Sequence, residues 1–194
     1  MKINQFLYLI VGLCLSIFAC QTETSQKQHR QQDSTSQSAK ATLNARKILD
    51  QANELMGKQA YKEAIELYNQ SIEIAQNDSI NAATAYHNKG LAFLYLKDTV
   101  QALKNYEKAM QLDKTYHSPY SSRGAIRLDR KDFRGALEDF NRASELNPQD
   151  ELVFYQRGNA KFALKDKKGA CEDWTKAFAL GFSNAKYLID QHCK

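Results

Sequence analysis

The chain is short of the residue patterns that chemistry at a catalytic centre needs. It has no glycine-rich loop of the kind that cradles phosphate and no His-Glu-x-x-His pair. Its four histidines, His29, His87, His117 and His192, show no metal-ligand spacing, and its Ser and Asp residues form no nucleophile arrangement. No enzyme, cofactor or metal site is therefore expected. Lys and Arg number 27 against 22 Asp and Glu, a net charge of +5, but the basic residues do not cluster, so no nucleic-acid surface is expected. The one long apolar run, Phe6 to Ala19, has 14 residues, whereas a spanning helix needs about 20. Only two prolines occur, Pro119 and Pro148, so little in the chain stops a helix.

What is present is a repeat. Gly90, Gly124 and Gly158 stand 34 residues apart, and Ala102, Ala136 and Ala170 keep the same step, as do Ala109, Ala143 and Ala177. The aromatic residues follow in two further registers: Tyr86, Tyr120 and Phe154, then Tyr106, Phe140 and Trp174. Lys97-Asp98, Lys131-Asp132 and Lys165-Asp166 punctuate each unit. A period of this length points to stacked helix pairs, which cannot bury their apolar faces singly and so need about three units. In each unit the Lys-Asp pair ends the first helix, and its Asp caps the second. Ala102, Tyr106, Ala109 and Leu112 then share one face of that second helix. Both prolines fall at unit boundaries.

Tyr120, Gly124, Leu128, Ala136, Phe140, Ala143 and Pro148 together resemble the tetratricopeptide repeat. The resemblance implies an all-α solenoid of about four helix-turn-helix units, at roughly 45–78, 83–116, 117–150 and 151–184, with a capping helix at 184–193. The first unit is degenerate. Ala64 precedes Ala102 by 38 residues, which places four extra residues near Gln76 to Asn81, and Ala52 stands in the glycine register. The third and fourth units share a further pattern. Arg123 and Arg157 each precede the register Gly, and Asp139 and Asp173 each precede the second-helix aromatic; the second unit has Lys89 and Asn105 there instead. This covariation between units predicts an Arg–Asp bridge joining the two helices of a pair.

The N-terminus reads separately. Lys2 followed by the apolar run suits a signal peptide over residues 1–19. Ile17-Phe18-Ala19-Cys20 resembles a bacterial lipobox, which implies cleavage before Cys20, acylation of that residue and stable membrane attachment. Gln21, rather than Asp, after that Cys points to the outer membrane. Residues 20–40 are rich in Gln, Ser and Thr with no aliphatic side chain before Ala39, and read as a disordered tether. The domain of residues 41–194 then keeps Cys171 and Cys193. Outside the cytoplasm an even pair suggests a disulfide stapling the capping helix, as similar lipoproteins carry. The alternative is a buried Cys171 thiol beside a frayed tail.

In tetratricopeptide repeats the first helix of each unit lines the inner face. Counting from the glycine register, its exposed positions here are Asp50, Asn53, His87, Asn88, Leu91, Tyr95, Ser121, Ser122, Ala125, Tyr155, Gln156, Asn159 and Phe162. The surface is polar but almost uncharged, suited to bonding an extended peptide backbone. Leu49, Ser118 and Ser122 occupy the places of the basic residues in carboxylate-clamp repeats, so a clamp is not expected. The expected function is non-catalytic binding of a protein or peptide, as a membrane-tethered adaptor or assembly factor of the bacterial envelope. The alternatives are a constitutive structural subunit, or an accessory peptide- or glycan-binding lipoprotein.

Overall fold

The computed structural model describes residues 35–75 and 78–193. The expected signal peptide, the expected lipid site at Cys20 and the expected tether up to residue 34 lie outside them. The described residues form nine helices: α1 (residues 35–57), α2 (Tyr61–Ile74), α3 (Ser79–Tyr95), α4 (Thr99–Leu112), α5 (His117–Asp129), α6 (Phe133–Leu146), α7 (Glu151–Ala163), α8 (Lys167–Ala179) and α9 (Ala185–His192). From α2 onward each helix packs mainly on its neighbours in sequence. The repeats occupy one compact unit, Asn44–Lys194.

Residues 35–40, expected in the tether, are helical. The composition argument asked whether they could bury surface. A helix extending from a packed segment needs no burial of its own, because each added residue gains a backbone bond without a new nucleation cost.

The punctuation works as its residues dictate. Lys97, Lys131 and Lys165 take positive φ (65°, 64° and 70°). The next N–H, on Asp98, Asp132 or Asp166, reaches back to the carbonyl of Phe93, Arg127 or Lys161 at 2.9 Å. That is the Schellman closure of a helix end. Each Asp carboxylate then accepts from the third N–H of the following helix, at 2.9–3.1 Å. In the first unit Gln59 takes the positive φ (61°) and Ala60 has no capping side chain, so that turn lacks the second bond.

The four extra residues also find their place. α3 has 17 residues where α5 and α7 have 13, while α4–α5 and α6–α7 are joined by connections no shorter than α2–α3. The insertion is therefore one additional turn at the start of α3, capped by Asp78 through the Asn81 N–H at 3.0 Å.

Tyr68, Tyr106, Phe140 and Trp174 are the large buried residues of the second helices. Tyr106, Phe140 and Trp174 lie over the register glycine of their own pair rather than between pairs. A Cβ on Gly90 would meet the Tyr106 ring at 2.5 Å, on Gly124 the Phe140 ring at 2.9 Å and on Gly158 the Trp174 ring at 2.6 Å. Contact between pairs comes from residues such as Tyr120, which packs against the clusters of both the second and third units. Gly158→Ala is expected to cost roughly 1–2 kcal/mol, overpacking outweighing the gain in helix propensity. Urea unfolding checks this, and equal midpoints would show that the indole moves aside freely.

The predicted Arg–Asp bridges form. Arg123 donates to both Asp139 oxygens (3.0 and 2.7 Å), and Arg127 adds a bond to Asp139 Oδ2 at 3.0 Å. Arg157 grips Asp173 in the same fork (2.8 and 2.6 Å), with Lys161 Nζ at 2.8 Å from that carboxylate. Both Asp side chains are almost fully buried. In the second unit Asn105 instead donates to its own helix at the Gln101 carbonyl, 2.8 Å away. The Lys89 ammonium lies over the Tyr86 ring, 5.9 Å from its centre.

Candidate partner-binding face

Side-chain hydrogen bonds tie the first helices together at positions that are out of the repeat register. Asn88 Nδ2 on α3 donates to Asn53 Oδ1 on α1 at 2.9 Å, and the same oxygen accepts from the Tyr68 hydroxyl at 2.8 Å. His87 Nδ1 is 3.1 Å from Asn88 Oδ1 and 3.1 Å from the Tyr116 hydroxyl. His87 Nε2 is 3.1 Å from Ser122 Oγ on α5. Asn53, Asn88, His87 and Ser122 thus form one polar chain across three units.

His87 is not the exposed position that register counting predicts. Only 7% of it meets solvent, because Tyr106 and Tyr116 cover the ring at centroid distances of 5.6 and 5.3 Å. Burial drives its pKa down to about 4, helped by the His117 charge and opposed by the Asn88 hydrogen bond. At neutral pH the imidazole is uncharged. Its covering Tyr116 comes from the α4–α5 connection, outside every repeat register, so the sequence pattern held no signal for it.

An asparagine one place after the glycine register has a role that spacing alone did not reveal. Asn53 accepts from Tyr68, and Asn159 accepts from Trp174 Nε1 at 3.0 Å. In each case an amide satisfies the polar atom of a buried second-helix ring. Leu91 and Ala125 hold this place in the middle units. Phe140 needs no partner there, and the buried Tyr106 hydroxyl, which lies near Ser122, makes no well-formed hydrogen bond.

The predicted aromatic ends of the face are both supported, and partly covered, by other rings. Tyr95 remains 60% exposed but stacks flat on Tyr61, at 4.9 Å and 3°. Tyr155 packs on Phe182 at 4.6 Å, and Phe162 on His192 at 4.6 Å. The fourth unit therefore presents less free aromatic surface than expected, because the C-terminal segment folds onto it. Gln156 makes no hydrogen bond to any described residue, and the Asn53 amide nitrogen is likewise uncommitted. Among the positions named for this face Asp50 is the one charged group, and it is exposed. Among the described residues no three His, Cys, Asp or Glu side chains come together as metal ligands. No described helix is long and apolar enough to cross a membrane.

The tetratricopeptide repeat family profile matches residues 43–115. The fold is that of a tetratricopeptide-repeat solenoid. Solved structures carry the fold through the rest of the chain. A crystal structure of MamA superposes with a TM-score of 0.61 at 20% identity, covering 74% of this chain and 82% of that one. Residues 41 to the end of MamA from Desulfovibrio magneticus superpose at 0.60 with 18% identity, covering 76% and 86%. YrrB, described as a tetratricopeptide-repeat protein with an unusual peptide-binding site, superposes at 0.58 with 22% identity, covering 69% and 67%. At these identities the likeness shows the fold alone. No curated protein matches the sequence. Tetratricopeptide-repeat proteins mediate protein–protein interaction and bind peptide or protein partners, and the fold is typically a non-catalytic scaffold.

Proposed function

We propose that this protein is a membrane-tethered adaptor or assembly factor of the bacterial envelope, binding an extended protein segment along its first-helix face. The observation that carries the reading is the hydrogen-bonded row Asn53–Asn88–His87–Ser122, which runs across three units and carries no charge. A row of fixed amides and hydroxyls is preorganised for a peptide backbone, whose N–H and C=O groups bond it without selecting for charge. Gln156 extends the polar row into the fourth unit. The peptide-binding site of YrrB gives the fold a precedent. The lipobox-like Ile17-Phe18-Ala19-Cys20 supports attachment through acylated Cys20, and Gln21 after it supports the outer membrane.

The test is a crosslinked pull-down from membranes, comparing wild type with Asn88→Ala/Gln156→Ala. Gln156 is preferred to Tyr155, since changing Tyr155 would also loosen Phe182. A partner captured by wild type is expected to be lost from the double variant while the fold, read by circular dichroism, is unchanged. A partner that survives moves the interface off this face and favours a structural subunit. Cys20→Ser is expected to shift the protein from the membrane to the soluble fraction.

A further inference from the structure

α9 begins 34 residues after α7, so it stands where a fifth first helix would, with no second helix to close over it. Its grip on the body is slight. It has eight residues, Asn184 provides no side-chain cap and only Ala185 is buried, with Leu188 and Ile189 partly covered. A helix so short does not persist in water without tertiary support. Two fastenings at its far end supply that support. The Cys171–Cys193 sulfurs are bonded at 2.07 Å, and the His192 ring lies 4.6 Å from Phe162 and 5.9 Å from Trp174. At its near end Gly181 takes φ +113° with open space around it, a conformation that suits a hinge.

The disulfide is also reachable. An open cleft of about 950 Å³ is bordered by both cysteines and by Lys167, Lys168, Thr175 and His192. Lys167 and Lys168 precede Cys171 by one helical turn and so lie on its side of α8. Glu172 also borders the cleft, but the two ammonium groups outnumber its carboxylate and favour Cys171 as a leaving thiolate.

We propose that this disulfide is a redox latch: a dithiol reductant entering the cleft releases α9 and uncovers Tyr155 and Phe162. One thiolate of the reductant attacks Cys193 Sγ, the Cys171–Cys193 bond breaks and its electron pair leaves on Cys171. The second thiolate of the reductant then displaces Cys193 from the mixed disulfide. The two protons of the reductant pass to Cys171 and Cys193, and the reductant departs as its disulfide. That release exposes binding surface rests on the proposed function; the latch itself does not.

Trp174 is the chain's single tryptophan and is 1% exposed, so it reports on α9 directly. Oxidised wild type, dithiothreitol-treated wild type and Cys193→Ser are compared by hydrogen exchange and by Trp emission. Reduction, or Cys193→Ser, is expected to speed exchange over residues 185–192 roughly tenfold or more, leaving α3–α6 unchanged, and to red-shift the emission. Unchanged α9 exchange would overturn the latch. Acceleration spread evenly over the whole domain would overturn it too, by making the disulfide a global staple. Lys167→Glu/Lys168→Glu is expected to slow reduction by dithiothreitol several-fold, a change that a purely structural role would not produce. Partner capture by oxidised and reduced wild type follows as a separate readout. Equal capture despite a released α9 would leave the latch standing and sever it from binding.

Discussion

Asp139→Ala is expected to lower the free energy of unfolding by ~3–5 kcal/mol, the range for removing one partner of a buried ion pair. The Asp139 side chain is 4% exposed, while those of Arg123 and Arg127 are 20% and 31% exposed. Removal therefore takes the buried partner held at 2.7–3.0 Å from two guanidinium groups, leaving Arg123 with Glu107 at 4.0 Å and Arg127 with Asp132 at 3.9 Å and the Gly135 carbonyl. The partial exposure of Arg127 lets water take over some of its bonds and draws the value toward the lower bound. The Asp139 hydrogen bond raises the Arg123 pKa, and burial opposes it. Arginine stays charged in either case, so it has no neutral form in which to escape the penalty. Urea unfolding measures the effect. A triple replacement of Asp139, Arg123 and Arg127 by apolar residues should recover much of the loss, because desolvated charge rather than lost packing is the cause. If Asp139→Ala alone leaves the midpoint within error, the bridge contributes nothing to folding.

Acidification should weaken the fold through His87. Its folded pKa of about 4 lies below the ordinary histidine value of 6.5, so the unfolded chain takes up a proton before the native one does. The contribution of neutral His87 is complete above pH 6.5 and is lost as pH falls through 6.5 toward 4. At about 1.4 kcal/mol per pH unit the total approaches 3.5 kcal/mol. The informative window is pH 6.5 to 5, above the range where carboxylates titrate. Wild type is expected to lose stability steadily there, and His87→Gln is expected to be nearly flat. Equal slopes in the two proteins would assign the acid sensitivity to His117, His192 or another group. Protonation would also force both imidazole nitrogens to donate, rearranging the bonds to Asn88, Tyr116 and Ser122. Binding along this face should accordingly weaken over the same window.

Groups that recur by register were legible beforehand. The Lys-Asp turns, the glycines under Tyr106, Phe140 and Trp174, and the Arg–Asp bridges all join residues of one unit, so each recurs at a fixed spacing in the units that carry its residues. The face was harder to read. His87 counts as an inner, exposed position, and what buries it is Tyr116 from a connecting segment. Tyr155 and Phe162 count as free, and what covers them is a segment that begins where the repeats end. The His87–Ser122 bond falls one place out of step with the 34-residue period, and Asn53 bonds Asn88, three places before its own register equivalent Leu91, so neither pairing follows the register.

The sequence by itself determined the helix-pair repeat, its caps and its internal bridges, because local periodicity and short-range pairing are written along the chain. Only the tertiary structure decided which first-helix side chains remain free to meet a partner. Availability depends on what packs over each position, and at His87, Tyr155 and Phe162 a covering ring comes from a position outside the repeating registers.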